Sequence, residues 1–113
     1  MNIEGLKEYR NRLDAEKDSY FEDWPIDPGI REARRVNLTG TLDALITLGP
    51  EASKEAALGV LRRCVEQFNE LDEADEPFIF TIEREALCDV LYEIGDLCGL
   101  DSRDEWVDQW RDW

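Results

Sequence analysis

The chain contains no histidine among its 113 residues, only one methionine and three cysteines, and just 13 Lys or Arg against 28 Asp or Glu. Each shortage excludes something. Without imidazole there is no ordinary general base near neutral pH, no common zinc ligand, and no Ser-His or Cys-His nucleophile pair. A di-iron bundle built on Glu-x-x-His is excluded for the same reason. An odd cysteine count, with Cys64, Cys88 and Cys98 each set in an apolar helical pattern, predicts buried reduced thiols rather than a disulfide framework. The expected setting is therefore the cytoplasm. A cysteine without a basic neighbour has no evident route to a thiolate. Apolar stretches are short, well below the roughly 20 residues that span a bilayer. Charges every few residues along Met1–Leu13 leave no apolar core for a secretory signal.

What is abundant is negative charge, a formal −15 at pH 7. Its sign opposes direct binding to nucleic acid or anionic lipid and favours a cationic partner. The 42% apolar content, with four tryptophans, is that of a folded chain with one core, so residues 1–113 are expected to form a single domain.

Spacings of three and four dominate, which predicts an all-α fold: a compact bundle of four to five antiparallel helices. Ile3, Leu6, Tyr9 and Leu13 share one side of a first helix, followed by Tyr20 and Phe21. Trp24-Pro25 and Asp27-Pro28-Gly29 then enforce a turn. A second helix is expected over Ile30–Leu48, with Leu38, Leu42, Leu45 and Ile46 inward, and Thr39-Gly40-Thr41 weakening its middle. Gly49 suits the position just past a helix end, with Pro50 after it. The clearest amphipathic stripe, Ala57, Leu61, Cys64, Phe68 and Leu71, predicts a third helix over about Glu51–Leu71.

Asp72–Pro77 then forms an acidic connector. Phe78–Ile82 has strand-like composition, but Thr81 as an N-cap with Glu83 and Glu85 in a first turn favours a fourth helix. Leu87, Val90, Leu91, Ile94, Leu97 and Cys98 continue that helix to Gly99. Ser102-x-x-Glu105 reads as a capping box for a short last helix carrying Trp106, Trp110 and Trp113 on one stripe.

The charge is unevenly placed. Residues 1–65 hold 12 acids and 10 bases, whereas residues 66–113 hold 16 acids and 3 bases. Glu66, Glu70, Asp72, Glu73, Asp75 and Glu76 form a run with no intervening base. Glu66 and Glu70 repel at i, i+4, and Asp72 and Glu73 lie at the unfavourable end of a helix dipole. A basic partner would relieve that repulsion. Solubility alone asks for a net charge of only about 2–8 in a small domain. These six acids are accordingly the candidate partner-binding residues. Trp106 and Trp110, ringed by Asp104, Glu105, Asp108 and Asp112, either dock the last helix on the core or add aromatic anchors to the interface.

Two further constellations bear on function. Glu70-x-x-Glu73 followed by Glu93-x-x-Asp96 resembles the magnesium site of all-α nucleoside triphosphate pyrophosphatases, in which facing carboxylates hold Mg²⁺. No nearby base is placed to grip substrate phosphates. Arg31, Arg34 and Arg35, with Arg62 and Arg63, are expected to pair internally with acidic helices.

From about Leu61 onward the chain resembles a group of small acidic helical bacterial domains encoded beside polymorphic toxins. Phe68-Asn69-Glu70-Leu71, the acidic connector, Glu83-Arg84-Glu85, Gly99 and the closing Arg111-Asp112-Trp113 carry the resemblance. It implies an immunity-type protein that binds and blocks one cognate toxin. The expectation from sequence is a non-enzymatic neutraliser of a basic protein, with no cofactor and no metal. A magnesium-dependent pyrophosphatase-like enzyme and a DNA mimic are the alternatives.

Overall fold

Asn2 opens the first helix by accepting the Gly5 amide on its side-chain oxygen at 3.0 Å, satisfying one of the donors that a helix start leaves unpaired. The helices of this computed structural model are α1 (Ile3–Ala15), α2 (Pro28–Leu48), α3 (Lys54–Ala74), α4 (Thr81–Leu97) and α5 (Trp106–Trp110). Residues 1–15, 28–74, 81–101, 103 and 105–111 are described, and among them there is no strand. The Trp24-Pro25 turn, Phe78–Phe80, Ser102 and Trp113 lie outside the described residues. The fold is all-α, as the periodicity predicts.

Helix ends follow local chemistry. Gly49 adopts φ 89° and Gly99 φ 81°, a region that carries a steric penalty for any side chain. At Gly99 the Leu100 amide donates to Gly95 O at 2.9 Å and the Gly99 amide to Asp96 O at 3.0 Å, the paired bonds of a Schellman stop. The third helix starts at Lys54, not Glu51, because Ser53 caps it: Ser53 Oγ accepts the Ala56 amide at 3.1 Å. It also runs to Ala74, so Asp72 and Glu73 belong to its last turn rather than to a connector.

Thr39-Gly40-Thr41 does not interrupt α2. The Thr39 hydroxyl donates to Val36 O and the Thr41 hydroxyl to Asn37 O at 2.7 Å, so both polar groups are absorbed by the helix's own carbonyls. The capping box at Ser102-x-x-Glu105 is a correction. Glu105 itself is the N-cap of α5, with φ 51° and ψ 38° and no side-chain capping bond. The turn is set by how α5 packs, which overrides the local capping preference.

The anticipated stripes form the core: Leu6, Tyr9 and Leu13 of α1, Leu38, Leu42 and Leu45 of α2, Ala57, Leu61, Cys64 and Phe68 of α3, and Leu87, Leu91, Ile94 and Cys98 around α4. Leu100, Val65 and Val107 join them. α2 packs on both α1 and α3, α1 reaches α4, and α5 rests on α3 and α4. Polar ties fix these contacts. Asn37 Nδ2 donates to Cys64 O at 3.0 Å between α2 and α3, in a buried setting where an unmet partner would cost about 1–3 kcal/mol. The Asn2 amide donates to Leu97 O at 2.7 Å, joining the start of α1 to the end of α4.

Candidate functional site

The carboxylates separate into two populations according to whether a base reaches them. Glu4, Asp14, Glu32 and Asp43 on α1 and α2 meet the chain's own bases, as do Glu66, Asp101 and Asp108 further on, through Arg62, Arg103 and Arg111. Arg10 pairs with Asp43 at 2.9 Å and with Asp14 at 3.8 Å, Arg35 with Asp14 at 3.5 Å and with Glu32, and Lys7 with Glu4 at 3.6 Å. Arg34 is fully buried. Internal pairing is thus what Arg35 does, as the sequence predicts.

Glu85, Asp89, Glu93 and Asp96 behave differently. Steps of four, four and three place them along one exposed stripe of α4, opposite Leu87, Leu91 and Ile94. Among the described residues none of the four is in an ion pair, and only Glu93 has a side-chain partner, the Tyr9 hydroxyl, which donates at 2.9 Å. Adjacent members repel as like charges at i, i+4. The same spacing was present in the sequence but was masked by the denser run at Glu66–Glu76.

That denser run is less uniform than its composition suggests. Glu66 is exposed but engaged by Arg62, whose Nε donates to it at 2.8 Å. Glu70 is exposed with no ion pair among the described residues. Asp72 is a correction: it is only 9% exposed, because α3 continues past it and turns it inward, so it presents little charge to a partner. The Glu73 side chain, Asp75 and Glu76 lie outside the described residues.

Trp106 is likewise a correction as an interface anchor. It is 4% exposed, packed edge-on to Tyr92 with centroids 5.3 Å apart, and tilted against Trp110 at 5.8 Å. It docks α5 onto the core, the first of its two readings. Trp110 is half-buried, with the Arg62 guanidinium 5.8 Å above its ring, and its carbonyl accepts Asn69 Nδ2 at 2.8 Å. Asn69 therefore holds the end of α5.

Of the pyrophosphatase-like constellation, the Glu73 side chain lies outside the described residues, and Glu70, Glu93 and Asp96 are each exposed. Among the described residues no group of three or more ligating side chains converges. α5 packs against both α3 and α4, and Glu93 is engaged by Tyr9 on α1. The Glu93 carboxylate and burial both hold the Tyr9 phenol in its neutral form, burial being the larger cause, and raise its pKa well above the ordinary tyrosine range. Arg12 lies over the same ring, 4.6 Å from its centroid, and opposes the shift.

Two of the three cysteines, Cys64 and Cys98, are closed off as nucleophiles. Burial pushes the Cys64 thiol up to about 12 and the Cys98 thiol up to about 11. Among the described residues no helix is long and apolar enough to cross a membrane. Compared with known proteins, the chain matches no family model, no curated protein and no solved structure.

Proposed function

We propose that this chain is a non-enzymatic acidic binding protein that neutralises a basic protein partner in the cytoplasm, namely a toxin domain blocked in the manner of an immunity protein. The observation that carries the reading is the division of charge. The chain's bases are taken up by Asp14, Glu32 and Asp43 on α1 and α2 and by Glu66, Asp101 and Asp108, while Glu85, Asp89 and Asp96 on α4 and Glu70 on α3 stay exposed and unpaired among the described residues. Exposed ion pairs contribute little to a fold, typically about 0–1 kcal/mol, so pairing is a guide to where the field is cancelled rather than to stability. The uncancelled stripe steers a cation-rich surface and speeds encounter.

The resemblance of the C-terminal half to immunity-type domains supports the same reading. Asn69, one of its carriers, has a structural task at α5, whereas Glu70 beside it faces solvent. The candidate residues then lie on exposed faces of α3 and α4 rather than in a cleft.

The test is co-expression with the product of the neighbouring gene. Rescue of growth by this chain, together with a salt-sensitive complex of the two purified proteins, is the expected result. If the neighbour is harmless, or is bound with an affinity indifferent to salt, the reading is overturned. Duplex DNA competing for the same partner surface would turn the reading from toxin immunity to DNA mimicry.

A further inference from the structure

Between α2 and α3 lies an open groove of about 340 Å³, bounded by Val36, Gly40, Ala44 and Val60, with Thr41 and Cys64 deeper and Arg63 and Gln67 on the α3 side. It is open because residue 40 has no side chain: a β-carbon there would meet nothing within 4 Å. Val36 on its wall is 52% exposed, the most exposed large apolar side chain among the described residues. The deeper polar groups are already satisfied. Thr41 donates to Asn37 O, and Asn37 donates to Cys64 O.

Arg63 is the exposed cation at the groove's edge. It forms no ion pair among the described residues, although acids outnumber bases 28 to 13 in the chain. The nearest acid along its own helix, Glu66, is held by Arg62 at 2.8 Å. Gln67, one turn on from Arg63, lines the same groove. A cation and an amide therefore stand beside a groove of mixed lining, apolar at Val36, Ala44 and Val60, that has room for an occupant.

We propose that this groove binds a small amphipathic carboxylate, with the anionic head on Arg63 and Gln67 and the apolar tail between Val36, Ala44 and Val60. The planar guanidinium presents paired donors that match a carboxylate's two oxygens. The volume falls at the small end of ligand pockets, about 300–1,000 Å³, which suits a short chain rather than a long-chain lipid. Cys64 makes no covalent bond to the occupant, because its buried thiol stays protonated. The carboxylate could belong to a free short-chain acid or to a peptide C-terminus, and the same chemistry recognises both.

Amide NMR titration of the whole chain tests this with four probes: hexanoate, hexanamide, N-acetyl-alanyl-leucine with a free carboxylate, and its C-terminal amide. Saturable shifts at Gly40, Thr41, Ala44, Val60 and Gln67 are expected with at least one carboxylate and not with its amide. Binding of hexanoate assigns the site to free acids, and binding of the dipeptide alone assigns it to chain termini. Arg63→Gln should weaken the binding about fivefold, the upper range for an exposed charge pair. Gly40→Leu, which fills the channel while favouring the helix, should abolish it, and Arg62→Gln should leave it unchanged. Equal shifts from a carboxylate and its amide, shifts scattered over other arginines without saturation, or undiminished binding in Arg63→Gln would each overturn the proposal. None of these outcomes bears on the acidic surface, which is read out by a protein partner.

Discussion

The indole of Trp106 occupies a notch that exists because residue 95 is glycine. A β-carbon at Gly95 would lie 2.6 Å from Trp106 Cζ2 and 3.3 Å from Cε2, closer than two carbons approach without displacement. Trp106 belongs to the five-residue α5, a helix too short to persist alone, so this contact holds the C-terminal segment to α4.

Gly95→Ala should therefore destabilise the fold by about 1–3 kcal/mol, the usual cost of overpacking, despite alanine's better helix propensity. Trp106→Phe removes the obstructing ring atoms and also a buried indole N–H that has no hydrogen-bond partner among the described residues. In the double variant the two effects should be strongly non-additive, with Gly95→Ala costing much less than in the parent. Urea unfolding of the four proteins measures this, and additivity would mean that the notch is not the constraint.

Glu105→Gly should leave stability unchanged or raise it, up to about 1 kcal/mol. Glu105 sits at φ 51° without a capping bond, a conformation costing a non-glycine residue about 1–2 kcal/mol and glycine almost nothing. Part of that gain is offset by the larger entropy of a glycine in the unfolded chain. A clear loss of thermal stability in this variant would assign the Glu105 side chain a contact of its own.

The Tyr9–Glu93 bond predicts a pH dependence. The folded-state pKa of Tyr9 is raised above its unfolded value near 10, chiefly by burial and next by Glu93. The associated stability is fully present below pH 10. Above it, the unfolded chain ionises first and stability falls at up to about 1.4 kcal/mol per pH unit for this one proton. Tyr92, Cys64 and Cys98 are shifted in the same direction, so the contribution of Tyr9 is isolated by comparison with Tyr9→Phe. The variant's urea midpoints should fall less steeply between pH 9.5 and 11, and identical slopes would contradict the assignment.

Thiol reactivity should split. Cys88 is half-buried, whereas Cys64 and Cys98 are 2% and 3% exposed with thiols pushed up to about 12 and about 11. At pH 8 a disulfide reagent should modify Cys88 in a fast phase. Cys64 and Cys98 should react at the rate at which the fold opens, accelerating with urea. Three equivalent thiols would mean that the α2–α3 and α4 cores are not closed.

Reversing Glu85, Asp89 and Asp96 to Lys should slow association with a basic partner by about tenfold or more at low ionic strength and flatten its salt dependence, with little effect on dissociation. Reversing Glu4 and Glu32, which face the chain's own bases, should do far less. Stopped-flow association at several salt concentrations distinguishes the two sets. Equal effects would place the contact elsewhere.

The helices and their inward faces were legible in the chain alone. Ala57, Leu61, Cys64 and Phe68 are buried as their spacing requires, and Gly49 and Gly99 end helices with positive φ, because periodicity and backbone sterics act within one or two turns. Ser53 was legible too, as a cap directly before the periodic run, but the earlier Glu51 in the same polar stretch obscured it.

Everything that depends on which helix lies beside which was decided by the tertiary structure. Asp14 meets Arg35 across 21 positions and Tyr9 meets Glu93 across 84. Trp106 needs Gly95, and the groove at Arg63 needs Gly40 on another helix. A run of acids counts charges without saying which ones an arginine will reach. Coulombic pairing depends on distance in space, and only packing the apolar stripes together sets those distances, cancelling the field over α1 and α2 and leaving it standing along α4.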